Sequence, residues 1–206
     1  MITNKKPSFK YEKLLRKKGF NNIAGLDEVG RGAFAGPLVA AAVILPKQFR
    51  INGIKDSKLL TPEKREKLST YILKNSIAYS ISEIDLKYIN KFGIGKATEK
   101  AFLACLKSLN GKYDFVLVDG YQIKKYDTSF QKGIIHGDNI SVSIAAASII
   151  AKVYRDNLMI KLHQEYPKYN FFKNKGYGTK YHRDALKKHG ISKVHRTSFN
   201  LQKFLE

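Results

Sequence analysis

The sequence predicts an α/β fold in which helices flank a central mixed β-sheet. Two apolar runs rich in β-branched residues come first, at 23–29 and 38–45, and shorter strand-like runs then alternate with segments of helical periodicity. Early consecutive strands followed by such alternation are typical of an α/β domain with a mixed sheet. The 206 residues, 43% of them hydrophobic, suffice for a core, so we expect a single domain over 1–206. The order of the strands does not follow from the pattern.

A glycine-rich segment with Gly30, Gly32 and Gly36 separates the two early strands. Glycine clusters between apolar runs indicate turns, so we expect a turn that joins these strands. Because glycine has no side chain, the backbone of such a turn can approach a ligand closely. The turn is therefore the candidate for contact with a phosphate.

Residues 1–20, which contain seven Lys or Arg and one acid, predict a basic lead or a short helix.

The middle of the chain alternates between helix and strand signals. A threonine followed by a proline begins a predicted helix over 61–74. The alternation at 77–84 predicts a third strand, and apolar residues at helical spacing predict a second helix over 94–109. The apolar run at 115–118 then predicts a short buried strand.

The last third of the chain predicts one more strand and two helices. A strand is expected at 133–136, followed by a long helix over 141–163. The segment 144–151 is almost wholly apolar, so this helix should be buried against the sheet. A short helix over 180–189 lies in a strongly basic stretch, about 165–206, which we expect to form a C-terminal helical segment.

The charge of the chain indicates a polyanionic partner. There are 38 Lys and Arg against 17 Asp and Glu, a net charge of +21, and such an excess is typical of proteins that bind nucleic acid. The alternative is a surface that is merely lysine-rich, and charge alone does not decide between them.

Cysteine content and apolar run length indicate the compartment. The single cysteine, Cys105, has no partner for an internal disulfide, which fits a reducing environment. The N-terminal residues lack the apolar segment of a secretory signal. No apolar run approaches the ~20 residues that a membrane span needs. We therefore expect a cytoplasmic protein that does not bind membranes. We also expect it to be a monomer.

Four carboxylates stand inside or at the ends of apolar runs. Asp27 and Glu28 interrupt the first run, Asp119 ends the fourth strand, and Asp138 precedes the long helix. A buried carboxylate is costly without a partner, and strand ends of α/β sheets often converge on one crevice. Carboxylates gathered there suit Mg²⁺ or Mn²⁺, which can bind a scissile phosphate. The alternative is that Asp119 and Asp138 only shape a turn or cap a helix.

The adjacent acids are not expected to play equal roles. Neighbouring side chains on a strand point to opposite faces, so Asp27 and Glu28 cannot both reach one ion from a regular strand. We expect Asp27 to be the direct, bridging ligand and Glu28 the less direct one. Asp156 stands four residues after Lys152 on the predicted helix, where an ion pair is the simpler interpretation. It is left out of the catalytic set.

Beyond these single residues, six stretches resemble the ribonuclease HII family. They run in order from about Ile23 to Phe199 as AGLDEVGRGAFAGPLVAAAVIL, DSKLL, LVDG, HGDNISVSIAAASIIAKVYRD, NKGYGTKYH and VHRTSF. The resemblance implies a ribonuclease H-like fold. It also implies an endonuclease that hydrolyses the RNA strand of RNA/DNA hybrids and incises 5′ of single ribonucleotides embedded in duplex DNA. Two ions, Mg²⁺ or Mn²⁺, would take part, and the products would carry 5′-phosphate and 3′-hydroxyl ends.

The resemblance also assigns roles to particular residues. The implied catalytic and metal-binding residues are Asp27, Glu28, Asp119 and Asp138. The implied substrate contacts are Gly30, Arg31 and Gly32 at the ribonucleotide, Tyr177 at the RNA/DNA junction, and Lys58 of the DSK motif. The chemistry agrees, because Arg31 adds a forked donor to the glycine turn and the 2′-hydroxyl is what distinguishes RNA from DNA. Without the resemblance, two alternatives stay open: Gly30 and Gly32 form an ordinary hairpin turn, and Tyr177 packs on the core.

Two other classes of protein account for parts of the sequence. A non-catalytic nucleic-acid-binding protein, such as a ribosomal component, would explain the charge but has no use for acids beside a phosphate. The sister enzyme ribonuclease HIII resembles the same core, with an extra N-terminal domain and a glutamate at the position of Asp138. About 20 residues precede the first strand here, and position 138 is an aspartate, so ribonuclease HII is favoured. His136 replaces the lysine usual in that family and alters the charge beside Asp138.

Overall fold

The structure, a computed structural model, describes residues 6–50 and 60–205. Its five-stranded sheet consists of Ile23–Val29 (β1), Leu38–Ile44 (β2), Ala78–Ile84 (β3), Phe115–Asp119 (β4) and Gln131–Ile134 (β5). The strand order is β3-β2-β1-β4-β5. The pairs β1–β2 and β2–β3 are antiparallel, whereas β1–β4 and β4–β5 are parallel. The predicted α/β fold with a mixed sheet is confirmed.

Helices cover both faces of this sheet. The α-helices of the described ranges are Lys10–Lys17 (α1), Pro62–Asn75 (α2), Leu86–Ser108 (α3), Val142–Glu165 (α4), Phe171–Asn174 (α5) and Lys180–His189 (α6). Short 3₁₀ turns lie at Thr128–Phe130, Gly137–Asn139, Pro167–Tyr169 and Gln202–Phe204. Ala40 and Ala42 of β2 pack in the α3 layer, and Ala41 packs in the α4 layer. The buried central strand is therefore apolar on both faces, and its small side chains let both helices approach closely.

Helix α3 begins earlier than the periodicity predicts. The expected helix covers 94–109, but the observed one starts at Leu86, where the Asp85 carboxylate accepts a hydrogen bond from the Tyr88 N–H at 2.7 Å. Gly93 has a φ of 81° and interrupts the helical backbone. Residues before this kink are out of phase with those after it, which is why the apolar pattern identified only the second part.

Strand β5 lies two residues before the predicted 133–136. It begins at Gln131, a buried polar residue whose side chain hydrogen-bonds main-chain groups as a neighbouring strand would. The Gln131 Oε1 accepts from the Ile123 N–H at 2.8 Å, and its Nε2 donates to the Ile123 carbonyl at 2.9 Å. A satisfied amide of this kind looks like a loop residue in the sequence. The strand ends before His136, which adopts a left-handed conformation with a φ of 55°.

The residues after α4 pack against its C-terminal half. A buried apolar cluster joins Ala35 and Met159 to Phe171, Leu186 and Tyr169. The predicted short helix over 180–189 is observed as α6 and is followed by Gly190 with a φ of 73°. No helix in the described ranges is long and apolar enough to cross a bilayer.

We expect Gly25→Ala to lower the free energy of unfolding strongly. Gly25 of β1 lies directly under α4, where an added methyl group would overlap the Ser143 main chain. Overpacking costs about 1–3 kcal/mol or more, and rigid backbone on both sides prevents relaxation. Thermal unfolding should show a fall of at least roughly 4 °C. Gly95→Ala is the matched control, since no atom lies within 4 Å of the new methyl group; equal effects of the two substitutions would contradict the packing account.

Candidate active site

Asp27 and Asp119 lie side by side at the carboxyl edge of the sheet. Strands β1 and β4 are parallel neighbours with Leu26 opposite Val118, so the next residue of each strand is an aspartate. Equivalent positions of adjacent strands point to the same face, which here is the face that α4 covers. The Ser148 side chain of α4 hydrogen-bonds Asp27. Two of the predicted acids are thus placed together by strand register.

Asp138 joins them from the turn that precedes α4. It lies in the 3₁₀ turn Gly137–Asn139 and is 4% exposed. The Gly137 N–H donates to Asp119 Oδ1 at 2.6 Å, which ties this turn to the end of β4. The N-cap of α4 is Ser141, whose hydroxyl accepts from the Ile144 N–H at 3.3 Å. Asp138 is therefore not the cap of that helix, whereas Asp119 does stabilise a turn.

The electrostatics of Asp27 reflect this crowding. Burial is the largest effect and raises the pKa of the Asp27 carboxyl well above its usual range. The negative charges of Asp119, Glu28 and Asp138 raise this pKa further, against the hydrogen bond from Ser148. Like charges at short range disfavour ionisation. The cluster therefore favours a bound cation, which would stabilise the charged form of every member.

Glu28 approaches the cluster from the opposite face of β1. Its side chain is 12% exposed, and one carboxylate oxygen lies 3.8 Å from Arg31 Nη1. With Asp119 it lines a cavity of about 590 Å³ whose far wall comes from α3 and includes Lys96 and Glu99. Asp27 and Glu28 are successive residues of β1 and point to opposite faces, and the different roles expected for them stay a prediction. All four predicted acids surround one strand end.

The glycine turn stands between this cavity and the C-terminal segment. Gly30 is buried with a φ of 95°, and a methyl group there would overlap the Arg155 guanidinium. Gly32 is exposed, and no atom lies within 4 Å of the position that a side-chain methyl group would take there. The Arg31 side chain is 57% exposed. The turn is thus anchored by its first glycine and open to solvent at Arg31 and Gly32.

Tyr177 packs against the same buried arginine. Its half-buried ring has its centroid 5.4 Å from the guanidinium carbon of Arg155. The alternative of a core-packing tyrosine is therefore partly right, because one ring face rests on the protein while the residue keeps some exposure. Lys58 lies outside the described residues.

Asp156 behaves as the sequence predicts. Its carboxylate oxygens lie 2.6 Å from Lys152 Nζ and 3.2 Å from Arg65 Nη1. The predicted ion pair is present, with a second cation added from α2.

A buried histidine pair supports the main chain at Tyr177. The Ser192 N–H donates to His195 Nδ1 at 3.0 Å, so the His195 proton is on Nε2. That nitrogen is 3.0 Å from His182 Nε2, and His182 Nδ1 is 2.9 Å from the Tyr177 carbonyl. Each hydrogen bond sets the direction of the next. Protonation of either ring would place two N–H donors opposite each other with no acceptor between them, so both rings are held neutral.

We expect acid to unfold the protein partly through this pair. Burial is the main cause that lowers the pKa of His182, and burial followed by the charge of His182 lowers the pKa of His195 to about 4. The aromatic rings of Phe34, Tyr169 and Phe171 surround the pair. The unfolded chain, with a histidine pKa near ~6.5, binds more protons below that pH. The contribution of the neutral histidine pair to the free energy of unfolding is thus complete above about pH 6.5 and is lost as the pH falls towards 4.

Melting temperatures at pH 7.5 and pH 5.0 test this expectation. The loss should be on the order of 2 kcal/mol at pH 5, or a fall of roughly 4–8 °C. His195→Gln removes one titrating group and should make the fall shallower. The same fall in the parent and in this variant would exclude the pair as its cause.

Glu12, which stabilises the turn carrying Asp138, was not among the site residues predicted from the sequence. The fully buried Glu12 side chain of α1 accepts hydrogen bonds from the Ser141 hydroxyl at 2.6 Å and the Ser143 N–H at 3.0 Å. It thereby places a carboxylate at the N-terminus of α4, where negative charge is favourable. The available signal was its helical spacing from the buried Leu15, but an acid among lysines looked like a surface ion-pair partner.

The donors at the strand ends fit a hard divalent cation. They are all carboxylate oxygens, the ligand type preferred by Mg²⁺ and Mn²⁺, and their mutual repulsion is what a cation would relieve. In residues 6–50 and 60–205, no three His, Cys, Asp or Glu side chains have converged closely enough to hold an ion by themselves. In proteins Mg²⁺ is usually held by one or two carboxylates and keeps several water ligands.

Comparisons with known proteins identify the family and agree with this fold. The family model described as ribonuclease HII matches residues 24–202. The chain is similar to ribonuclease HII of Caldicellulosiruptor bescii, with 47% identity over 93% of this chain and 92% of that protein. It is also similar to the crystal structure of ribonuclease H2 from Pyrococcus horikoshii, with a TM-score of 0.72, 26% identity and coverage of 90% and 99%. The structure of Bst-RNase HIII in complex with Mn²⁺ shares the fold, with a TM-score of 0.70, 18% identity and coverage of 89% and 68%.

Proposed function

The chain belongs to the ribonuclease HII family, and from this premise we propose that Asp27, Glu28, Asp119 and Asp138 form its catalytic centre. The protein is an endonuclease that cleaves RNA paired with DNA and ribonucleotides embedded in DNA. The observation that carries the assignment is the register of β1 and β4, which brings Asp27 and Asp119 together beside the Asp138 turn.

The enzyme depends on divalent metal, and we propose that this centre holds two Mg²⁺ or Mn²⁺ ions. Bound ions would supply a water of lowered pKa and stabilise charge on the scissile phosphate. Asp27 is central to the cluster and oriented by Ser148, so it is the candidate for the shared ligand. Asp119 and Asp138 flank it on the same side. Glu28, on the other face, is suited to hold ligand water rather than to share an ion.

The ribonucleotide would be recognised by the Gly30–Arg31–Gly32 turn and Tyr177. Open backbone at Gly32 leaves room for a sugar to approach main-chain donors. Arg31 offers a forked donor to phosphate or hydroxyl oxygens. The Tyr177 ring can pack on the neighbouring deoxy sugar while Lys175 and Lys180 lie nearby in the chain. This arrangement would read one 2′-hydroxyl and the sugar that follows it.

Cleavage of four end-labelled substrates tests the proposal. They are a DNA duplex with one ribonucleotide, an RNA/DNA hybrid, an all-DNA duplex and single-stranded RNA, each with Mg²⁺, Mn²⁺ or a chelator. The first two should be cut, only with metal, leaving 5′-phosphate and 3′-hydroxyl ends, and the embedded ribonucleotide should be cut on its 5′ side. Cleavage in chelator, or a cut 3′ of the ribonucleotide, would contradict the proposed mechanism.

A further inference from the structure

Two arginine side chains lie fully buried between the glycine turn and Tyr177. They are Arg155 of α4 and Arg196, which follows α6, and both are 0% exposed. Neither can touch a substrate directly. Their burial requires a structural or functional reason, because burying a guanidinium is costly.

Arg155 links two segments that the proposed function uses together. Its Nε donates to the Pro37 carbonyl at 3.0 Å, and its Nη2 donates to the Ala35 carbonyl at 3.1 Å. Its Nη1 donates to the Lys175 carbonyl at 2.8 Å, two residues before Tyr177. The same guanidinium lies under the Tyr177 ring. One side chain thus fixes the end of the turn, the backbone before the tyrosine and the ring itself.

Arg196 holds the glycine turn through a second set of hydrogen bonds. Its Nη1 donates to the carbonyl of Arg31 at 3.0 Å, within the turn itself. Its Nε and Nη2 both donate to the Gly36 carbonyl, at 3.0 and 2.9 Å. The Arg196 N–H also donates to the Phe34 carbonyl at 2.8 Å. The turn is therefore held at its tip and at its end.

Backbone contacts close this frame around the turn. The N–H groups of Phe34 and Ala35 donate to the Gly176 carbonyl at 2.8 and 3.3 Å, and the Gly36 N–H donates to the Val194 carbonyl at 2.9 Å. Close packing is required as well, since a methyl group at Gly30 would overlap Arg155. The glycine turn and the segment before Tyr177 are thus joined directly by main-chain hydrogen bonds.

We propose that Arg155 and Arg196 are positioning residues for ribonucleotide recognition, setting the separation between the Gly30–Arg31–Gly32 turn and Tyr177. The proposal rests on the proposed function of that turn and ring. The rigid fan of guanidinium donors is essential, because it reaches several carbonyls at once and a lysine ammonium cannot reproduce its geometry. An apolar side chain could fill the same volume but would leave those carbonyls unpaired.

Arg155→Lys tests the proposal through substrate discrimination. The readout is the ratio of kcat/KM on a single embedded ribonucleotide to kcat/KM on a long RNA/DNA hybrid. We expect this ratio to fall by about tenfold or more, because small displacements of positioning groups are costly. A single ribonucleotide can be recognised at one position only, whereas a hybrid offers consecutive riboses. A loss of folded protein alone would lower both substrates equally and leave the ratio unchanged. Arg16→Lys is the matched control. Arg16 lies on α1, away from the site, and donates to the Leu45 carbonyl just after β2, so this variant should leave the ratio at the parent value.

A double-mutant cycle identifies the route of the effect. If Arg155 acts through Tyr177, then Arg155→Lys should change the ratio little in a Tyr177→Ala background, which is strong non-additivity. Additive effects, or an unchanged ratio in Arg155→Lys, would overturn the inference. If Arg155→Lys does not fold, Arg196→Lys serves in the same assay with the same expected fall. A ratio unchanged by Tyr177→Ala would instead overturn the proposed reading of the junction, which separates the two failures.

Discussion

Asp27→Asn should lower the cleavage rate in Mg²⁺ by about 10³-fold or more, since metal-ion stabilisation is worth several kcal/mol and each ~1.4 kcal/mol is tenfold. The Asp27 carboxylate interacts with all three other acids. Binding of the duplex should stay intact or become tighter, because a negative charge near the phosphate is removed. Single-turnover cleavage and a separate binding measurement with chelator distinguish the two effects. Asp119→Asn and Asp138→Asn should behave similarly, with partial rescue by Mn²⁺.

The matched control for this change is Asp114→Asn. Asp114 lies just before β4, at the opposite end from Asp119, and its carboxylate accepts from the Asn21 and Asn22 N–H groups at 2.6 and 3.0 Å. Hydrogen bonds to a charged group are worth about 1.5–3 kcal/mol net, and the asparagine amide oxygen can still accept one of them, so we expect some loss of stability and activity within about threefold of the parent. If Asp27→Asn also stayed within about tenfold, the assignment of the catalytic centre would be wrong.

Tyr177→Ala should reduce cleavage at a single embedded ribonucleotide by roughly 10–100-fold, the range expected when an aromatic contact of about 1–3 kcal/mol is removed. The loss on a long RNA/DNA hybrid should be much smaller, because contacts with consecutive riboses hold that strand. The ratio of kcat/KM values for the two substrates measures the difference.

Tyr177→Phe separates the ring from its hydroxyl group. A neutral hydrogen bond contributes about 1 kcal/mol, or roughly fivefold, so this variant should lie close to the parent if ring packing dominates. Equal slowing of both substrates by Tyr177→Ala would show that the tyrosine acts generally on binding or folding. Recognition of the junction would then have to come from elsewhere.

The sheet and the acids could be predicted because their signals are local. Strands β1 and β2 are long apolar runs, and Asp27 and Asp119 interrupt or end such runs. Strand alternation likewise indicated that Asp27 and Glu28 differ, and they lie on opposite faces of β1. What the pattern could not supply is register. Only the pairing of Leu26 with Val118 makes two distant aspartates neighbours.

The frame behind the glycine turn could not be predicted for a related reason. Arg155 and Arg196 look like surface cations in a chain of net charge +21, and their carbonyl partners carry no side-chain signal. Glu12 was missed likewise, since its partners at the start of α4 are about 130 residues away. The predicted helix was shorter than α3 because Gly93 shifts the phase of the apolar face. In each case a long-range contact or a backbone conformation overrides the local pattern.

Anomalous diffraction from Mn²⁺-soaked crystals of the parent and of Asp27→Asn tests the central claim most directly. The account predicts Mn²⁺ bound by the Asp27 carboxylate next to Asp119 or Asp138 in the parent, and strongly reduced occupancy there in the variant. Mn²⁺ bound equally in both proteins, or bound only at carboxylates away from the ends of β1 and β4, would contradict it.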